Sequence, residues 1–372
     1  MVQKDFTKLN EDVLFGKANG KIIWQPRIEC WYDDKMFEDG ELKGRYHGMD
    51  RVEIYRDLGC SARPYEFNGC FYRTYAPEVK QYEKQLNETD RESVIETPVG
   101  KVSQILRTTP SSWAKRTIKE WVTCEEDMKV FAYLEDCSTW HWNQEHYEKM
   151  LQKWDKLGAP TIFMPRVNVQ DLYIDLMGVE EATYALVDYP DVVEEFFRAL
   201  GDSHMRMIDV INQSPIKSIN FGDNIHSGTL SPSLFQKYVL PEYQRRCEKL
   251  HEAGKFVYAH FDGDNRGLTQ FYQETGLDGI EAITPKPQGD ITLEEAKEGL
   301  GDKMFLVDGI PAVYFDEIYP VETLVECVHK IIDLFAPRLV LGISDEISSH
   351  GDIERIRIVG EIVEEYNAKV KG

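Results

Sequence analysis

From residue 216 onward the sequence repeats one unit, a short apolar run followed by a segment with helical spacing. The runs lie at 216–224, 256–260, 278–284, 304–308 and 339–344. Helical patterns follow at 234–253, 268–274, 293–299, 321–335 and 352–367. Short apolar runs of this kind read as buried parallel strands, because a sheet covered by helices on both faces has no polar face to alternate with. Ser231-Pro232 supplies an N-cap with proline at the first helical position before the long helix.

Two earlier runs, 21–31 and 161–167, raise the strand total to seven, and an eighth is expected near 102–107. Helices are expected at 50–59 with Gly59 as C-cap, at 115–136 and 143–157, and at 180–187 and 190–212 divided by Pro190. The fold class this predicts is α/β, a closed (β/α)8 TIM-type barrel. An open nucleotide-binding sheet would carry a glycine-rich phosphate loop, and neither GxGxxG nor GxxxxGK[ST] occurs. Residues 1–20 read as an N-terminal arm with a short helix. Residues 60–110, with Pro98-Val99-Gly100 as a turn, read as a hairpin insertion. With no Pro/Gly/Ser-rich linker in sight, 1–372 is expected to be a single domain.

A formal charge of −22 argues against nucleic acid and against an anionic membrane as partners, since both demand a basic surface. Seven scattered cysteines with no CxxC pair suggest neither a disulfide framework nor a thiolate zinc knuckle. The polar start, MVQKDFTKLNED, has no apolar signal region, and no apolar run approaches ~18 residues. A soluble cytoplasmic protein is expected.

In a parallel barrel the side chains at strand carboxyl ends converge on one mouth, where such folds keep their chemistry. Here those residues are Arg27, Asn168, Asp223, His260, Asp262, Glu281, Asp308 and Asp345. Carboxylates crowded round a histidine repel one another unless a cation or protons compensate. A histidine with carboxylates is a reasonable set for zinc or a harder divalent ion, and His260 and Glu281 stand on successive strands. The plain alternative is that the aspartates cap the following helices and that the histidine is a hydrogen-bonded structural residue. Glu281 fits capping least, because apolar residues follow it. Arg27 either binds a substrate carboxylate or pairs with this acidic mouth. Trp31 is either a stacking surface for an aromatic ligand or part of the core.

Taken together, ETPVGKVSQILR (96–107), INFGDNIHSG (219–228), the block 231–264 ending in FVYAHFDGD, and LVLGISDE before GDIERIRIVGEIVEEY resemble the uroporphyrinogen decarboxylase superfamily. Within it they resemble the corrinoid-dependent methyltransferases. The resemblance implies a (β/α)8 barrel. Thiol-methylating members carry zinc on a His-x-Cys-Gly motif and a later cysteine. This chain has His260-Phe261-Asp262-Gly263, and no cysteine in 341–345. True decarboxylases carry a histidine where Ile343 stands here. The remaining match is to aryl methyl ether O-demethylase methyltransferases. It implies a zinc ion polarising the leaving oxygen, held by His260, Glu281 and Asp262. Asp223 and Asp345 would then be catalytic, and Arg27, Asn224 and Trp31 would bind the small-molecule methyl donor. The methyl group would pass to a cobalamin carried by a partner corrinoid protein. Two other functions are compatible with these residues: a decarboxylase working through one carboxylate and Arg27, and a non-catalytic barrel that docks a corrinoid or tetrapyrrole carrier.

Overall fold

The computed structural model describes residues 4–370. Helix α1 (Phe6–Leu14) is capped by the Asp5 carboxylate on Lys8 N and leads to strand β1 (Ile23–Trp24). Helices α2 (Glu29–Asp39) and α3 (Arg51–Leu58) follow. A reciprocal Asp50–Glu53 capping box opens α3, and Gly59 closes it in the left-handed conformation at φ 70°. Next come β2 (Phe71–Thr74), β3 (Lys80–Gln85), β4 (Asp90–Thr97), β5 (Gly100–Thr109) and β6 (Ser112–Lys119). Helix α4 (Glu125–Asp136), β7 (Thr139–Trp142), α5 (Gln144–Trp154) and β8 (Thr161–Met164) complete the first half. Helices α6 (Val179–Asp188) and α7 (Pro190–Gln213) precede β9 (Ser218–Phe221). A helical run opens at Pro232 under the Ser231 cap, widens through a π turn at Phe235–Val239 and continues as α8 (Leu240–Glu252). The remainder is β10 (Phe256–His260), β11 (Gly279–Glu281), α9 (Leu293–Leu300), β12 (Phe305–Pro311), α10 (Val321–Phe335), β13 (Leu339–Ser344) and α11 (Arg355–Lys369).

The chain divides into two compact units, one of Met1–Cys70, Gln144–Met164 and Ile216–Gly372, the other of Phe71–Asn143 and Pro165–Pro215. The first unit holds a seven-stranded parallel sheet in the order β1-β13-β12-β11-β10-β9-β8. Each strand from β8 to β13 lies beside its successor, and the last pairs with the first through Ile23↔Val340 and Trp24↔Leu341. This cyclic order is that of a (β/α)8 barrel. Every residue of β10, β12 and β13 is buried, as continuous apolar runs require.

The eighth stave is not at 102–107. Those residues lie in the middle of β5, which pairs antiparallel with β4 and β6. Instead, residues 60–63 run beside β1 without forming a ladder. Ser61 N donates to Trp24 O (3.1 Å), Ala62 N to Leu157 O (2.8 Å), and the Gln25 amide to Ala62 O (3.0 Å). Polar and exposed residues interrupt 100–109, as in a half-exposed hairpin strand and unlike a buried parallel one, and CSAR at 60–63 has no apolar run to betray it. Expectation and structure also part at 21–31, where extended chain ends at Trp24 and Trp31 falls within α2. The antiparallel strands continue to Lys119, beyond the expected end at 110, so the helix expected from 115 begins only at Glu125.

The second unit contains the antiparallel sheet β3-β4-β5-β6 and the pair β2-β7. Val102 of β5 packs with Val130 and Leu134 of α4, and Tyr75, Val79, Ile95, Trp121 and Phe131 surround them. Among the described residues no helix is long and apolar enough to cross a membrane.

Candidate active site

Strand register builds the site. His260 is the last residue of β10 and lies opposite Glu281, the last of β11, which lies opposite Val307 of β12. Asp308 is therefore one step further along the neighbouring strand. Asn220 reaches the same place from β9, where it is the polar residue between Ile219 and Phe221. Arg63 enters from the eighth stave, and Tyr65 follows two residues later.

Glu281 is the hub, with no solvent exposure. Its Oε1 accepts from Arg63 Nη1 and from the Tyr65 hydroxyl (2.8 Å). Its Oε2 accepts from the Asn220 amide (2.6 Å) and from His260 Nδ1 (2.8 Å). The Asn220 amide also donates to the Tyr65 oxygen (2.8 Å). Arg63 extends the network, donating to both oxygens of Asp308 (2.7 and 3.2 Å) and, through Nε, to Gln25 (2.8 Å). A second cluster is built on Arg27, which donates to Asp345 and Glu346, while Glu346 also accepts from Cys30 N (2.7 Å).

The charges follow from this geometry. Burial by itself would strip the proton from His260. The hydrogen bond and charge of Glu281 outweigh it, aided by Asp345 and Asp262, and push the imidazole up to about 9. Burial opposes ionisation of Glu281 as well, yet Arg63 and His260 hold that carboxylate well below its usual range. Asp308 goes the other way. Burial pushes it up to about 6, with Glu281 adding repulsion that Arg63 only partly offsets. Burial likewise raises Asp345 despite its pairing with Arg27. The acidic mouth is thus compensated from within by two guanidiniums and an imidazolium.

That arrangement bears on the zinc expected at His260, Glu281 and Asp262. All four donors on Glu281 would have to be rearranged for it to bind a cation, and one of them is a guanidinium. The Nδ1 of His260 is engaged, and its Nε2 is 4.0 Å from Asp262 Oδ2. Among the described residues no group of three or more His, Cys, Asp or Glu side chains is placed to hold a metal ion. The donor set as arranged does not fit a zinc site.

The other expected residues divide. Asp262 and Asn224 meet, the Asn224 amide donating to Asp262 Oδ2 (3.4 Å), and Asn224 adopts φ 51°. Arg27 and Asp345 pair with each other. Asp223 is fully buried and accepts from the Tyr243 hydroxyl of α8 (2.5 Å), which ties a strand end to the helix layer. Trp31 departs from expectation. It is 8% exposed and packs edge-on against Tyr46 at 5.9 Å, so it belongs to the core. Sequence reasoning passed over Arg63, Tyr65 and Asn220. Asn220 left a signal, a polar side chain at an inward position of a buried strand; Arg63 and Tyr65 left none, because 60–65 shows no periodicity.

The uroporphyrinogen decarboxylase (URO-D) family model matches residues 171–366, more than half of the chain. The chain belongs to the uroporphyrinogen decarboxylase family. Among solved structures, a methyltransferase from Methanosarcina mazei is similar over 70% of this chain and 75% of its own, with 12% identity and a TM-score of 0.51. At that identity the likeness speaks for the fold. A structure of the pneumococcal virulence factor StrH aligns over 68% of this chain and 70% of its own at 12% identity, with a TM-score of 0.27 that carries no argument. No curated protein matches. Family membership supports an enzymatic role for this URO-D protein.

Proposed function

We propose that this URO-D family protein takes a methyl group from an aryl methyl ether and passes it to the cob(I)alamin of a separate corrinoid protein. The observation that carries the reading is the His260–Glu281 pair. With Nδ1 locked on a carboxylate that Arg63, Tyr65 and Asn220 hold in place, the imidazole keeps its proton, and Nε2 is the nitrogen left to donate. Phenolate is a poor leaving group, and what the reaction asks of the protein is a proton or positive charge at the ether oxygen. The corrinoid, on its own carrier, supplies the nucleophile. When the methyl carbon–oxygen bond breaks, its electron pair goes to oxygen, which takes the proton from His260 Nε2. Water then returns a proton to the imidazole after the phenol leaves.

Two further features support this reading over tetrapyrrole decarboxylation. A substrate bearing many carboxylates needs free cations, whereas Arg27 and Arg63 are each bound by two internal carboxylates. An aromatic donor finds aromatic company, since the Tyr65 ring stacks on Phe163 at 3.6 Å and 19°. The zinc implied by resemblance has no step in this scheme, because the donors do not fit it.

The test is methyl transfer to free cob(I)alamin from a panel of aryl methyl ethers, methylamines, betaine and methanol. Activity with aryl ethers, falling about 10²-fold or more in Glu281→Gln and His260→Ala, is the expected result. Carbon dioxide release from an aromatic acid, with no methyl transfer from any donor, would replace this reading by the decarboxylase one.

A further inference from the structure

The first unit has a recess at the end of the barrel opposite the mouth, where the strands begin. Residues 155–157 lie between α5 and β8, and Gly59 closes α3 just before the stave at 60–63. The N-terminal arm lies over this end. Phe6 N and Thr7 N donate to Lys156 O (2.8 and 3.3 Å), and Thr7 Oγ1 donates to Gly158 O (3.0 Å). Between the arm and the barrel remains a cavity of about 600 Å³, lined by Lys4, Phe6, Arg56, Gly59, Asp155 and Leu157. Small-molecule sites have volumes of roughly 300–1,000 Å³. Gly59 helps to keep the cavity open: its φ of 70° favours glycine, and a Cβ there would meet nothing within 4 Å.

The walls combine apolar surface with unlike charges. Phe6 and Leu157 are core residues, 7% and 3% exposed. Lys4 is already paired with Glu364 of α11. Arg56 and Asp155 are exposed, and among the described residues neither forms an ion pair, with the other or with any third group. Two opposite charges thus face one cavity without meeting. A simple anion entering it would be repelled by Asp155 and by the net charge of −22. A simple cation would be repelled by Arg56. A molecule bearing both charges meets each with its opposite, and an apolar body beside them has Phe6 and Leu157 to cover it.

We infer that this cavity binds a zwitterionic α-amino acid with an apolar side chain. The carboxylate lies toward Arg56, the ammonium toward Asp155, and the side chain over Phe6 and Leu157. The site is separate from His260 and Glu281 and does not depend on the methyl-transfer reading. Phe6 belongs to the arm, whereas Arg56 and Asp155 belong to α3 and the segment after α5, so the ligand bridges the two and holds α1 against the barrel. Exposed ion pairs are individually weak, which puts the dissociation constant on the order of 1 mM.

Titration calorimetry of the full chain with L-phenylalanine and L-leucine tests it, beside phenylalanine amide and N-acetyl-phenylalanine, which each lack one charge. The wild type should bind both amino acids and bind each masked form about twofold to fivefold more weakly, the worth of an exposed ion pair. Arg56→Gln should bind phenylalanine no better than its amide, and Asp155→Asn should bind it no better than its N-acetyl derivative. That crossed pattern assigns the ligand to this cavity and not to the mouth. Both substituted side chains are exposed, and circular dichroism of each variant establishes that it is folded. No binding of either amino acid at millimolar concentrations, masked forms that bind as tightly as the free ones, or variants that keep the wild-type discrimination would each overturn the inference.

Discussion

Replacing Arg63 with methionine removes the one cation shared by two carboxylates that have no contact with water. The side chains of Arg63, Glu281 and Asp308 are 1%, 0% and 0% exposed, and methionine keeps much of the volume while taking away every donor. Breaking a buried ion pair from one side costs about 3–5 kcal/mol, because the partner stays behind as an uncompensated charge. Here two partners stay behind, and Gln25 loses a donor as well. Protonation limits the damage. Asp308 already sits up at about 6 beside the guanidinium, and without it goes higher, so near neutral pH the variant folds with this carboxyl protonated. A carboxyl raised above its ordinary value favours the fold as pH falls through the raised value. Glu281 has the opposite sign. Its depressed value contributes stability above the ordinary carboxylate range, and much of that contribution depends on Arg63. The gap between wild type and Arg63→Met should therefore be widest above about pH 7, at about 3–5 kcal/mol, and narrower near pH 5. Urea unfolding followed by tryptophan fluorescence at both pH values measures it. Adding Asp308→Asn to the variant should recover part of the loss, since one orphaned charge goes. A gap that is the same at both pH values, or an added Asp308→Asn that deepens the loss, would refute the shared-cation account.

Glu281→Gln should lower the His260 titration from about 9 toward the ordinary imidazole range, read by NMR of the ring protons. The stability this pair contributes is complete below the imidazole's unfolded value and is lost as pH rises through about 9, so the variant and the wild type should converge at high pH. Tyr243→Phe removes the hydroxyl that donates to the buried Asp223 carboxylate and should cost about 1–3 kcal/mol while leaving the turnover of folded enzyme close to wild type; a large fall in turnover at unchanged stability would place Asp223 in the chemistry. Metal content should be the same in wild type, His260→Ala and Glu281→Ala, measured by plasma emission, and near-stoichiometric zinc lost in both variants would mean that Glu281 exchanges its four donors for an ion.

Much of the barrel was legible because burial on both faces leaves one solution for a strand, an unbroken apolar run. That is why 256–260 and 339–344 could be bounded to the residue, and why His260 and Glu281 could be placed side by side. The misses arise where this rule is silent. Residues 60–63 act as a stave held by side-chain and single backbone hydrogen bonds, so Arg63 arrived at the centre of the site unannounced. VSQILR holds enough apolar residues for a strand without saying which sheet it joins. Asp223 looked catalytic from its place after a strand, and nothing in that place announced its bond to Tyr243, twenty residues away on a helix. The crowd of carboxylates called for a cation or protons at the mouth; that arginines supply charge there depended on a segment with no pattern to read.

The pairing of β1 with β13 has a consequence for how the molecule is made. Residues 60–63 give β1 one neighbour early, but Ile23 pairs with Val340, Trp24 donates its indole N–H to Ile356 O, and Arg27 is neutralised by Asp345 and Glu346. During synthesis the other side of this strand and its guanidinium therefore wait for residues 339–346 to leave the ribosome. Contacts of such separation are entropically the most expensive to close and form late. Closure of the barrel and completion of the Arg27 cluster are then one event, so a nascent chain stalled before residue 339 has an open seam and an unfinished mouth.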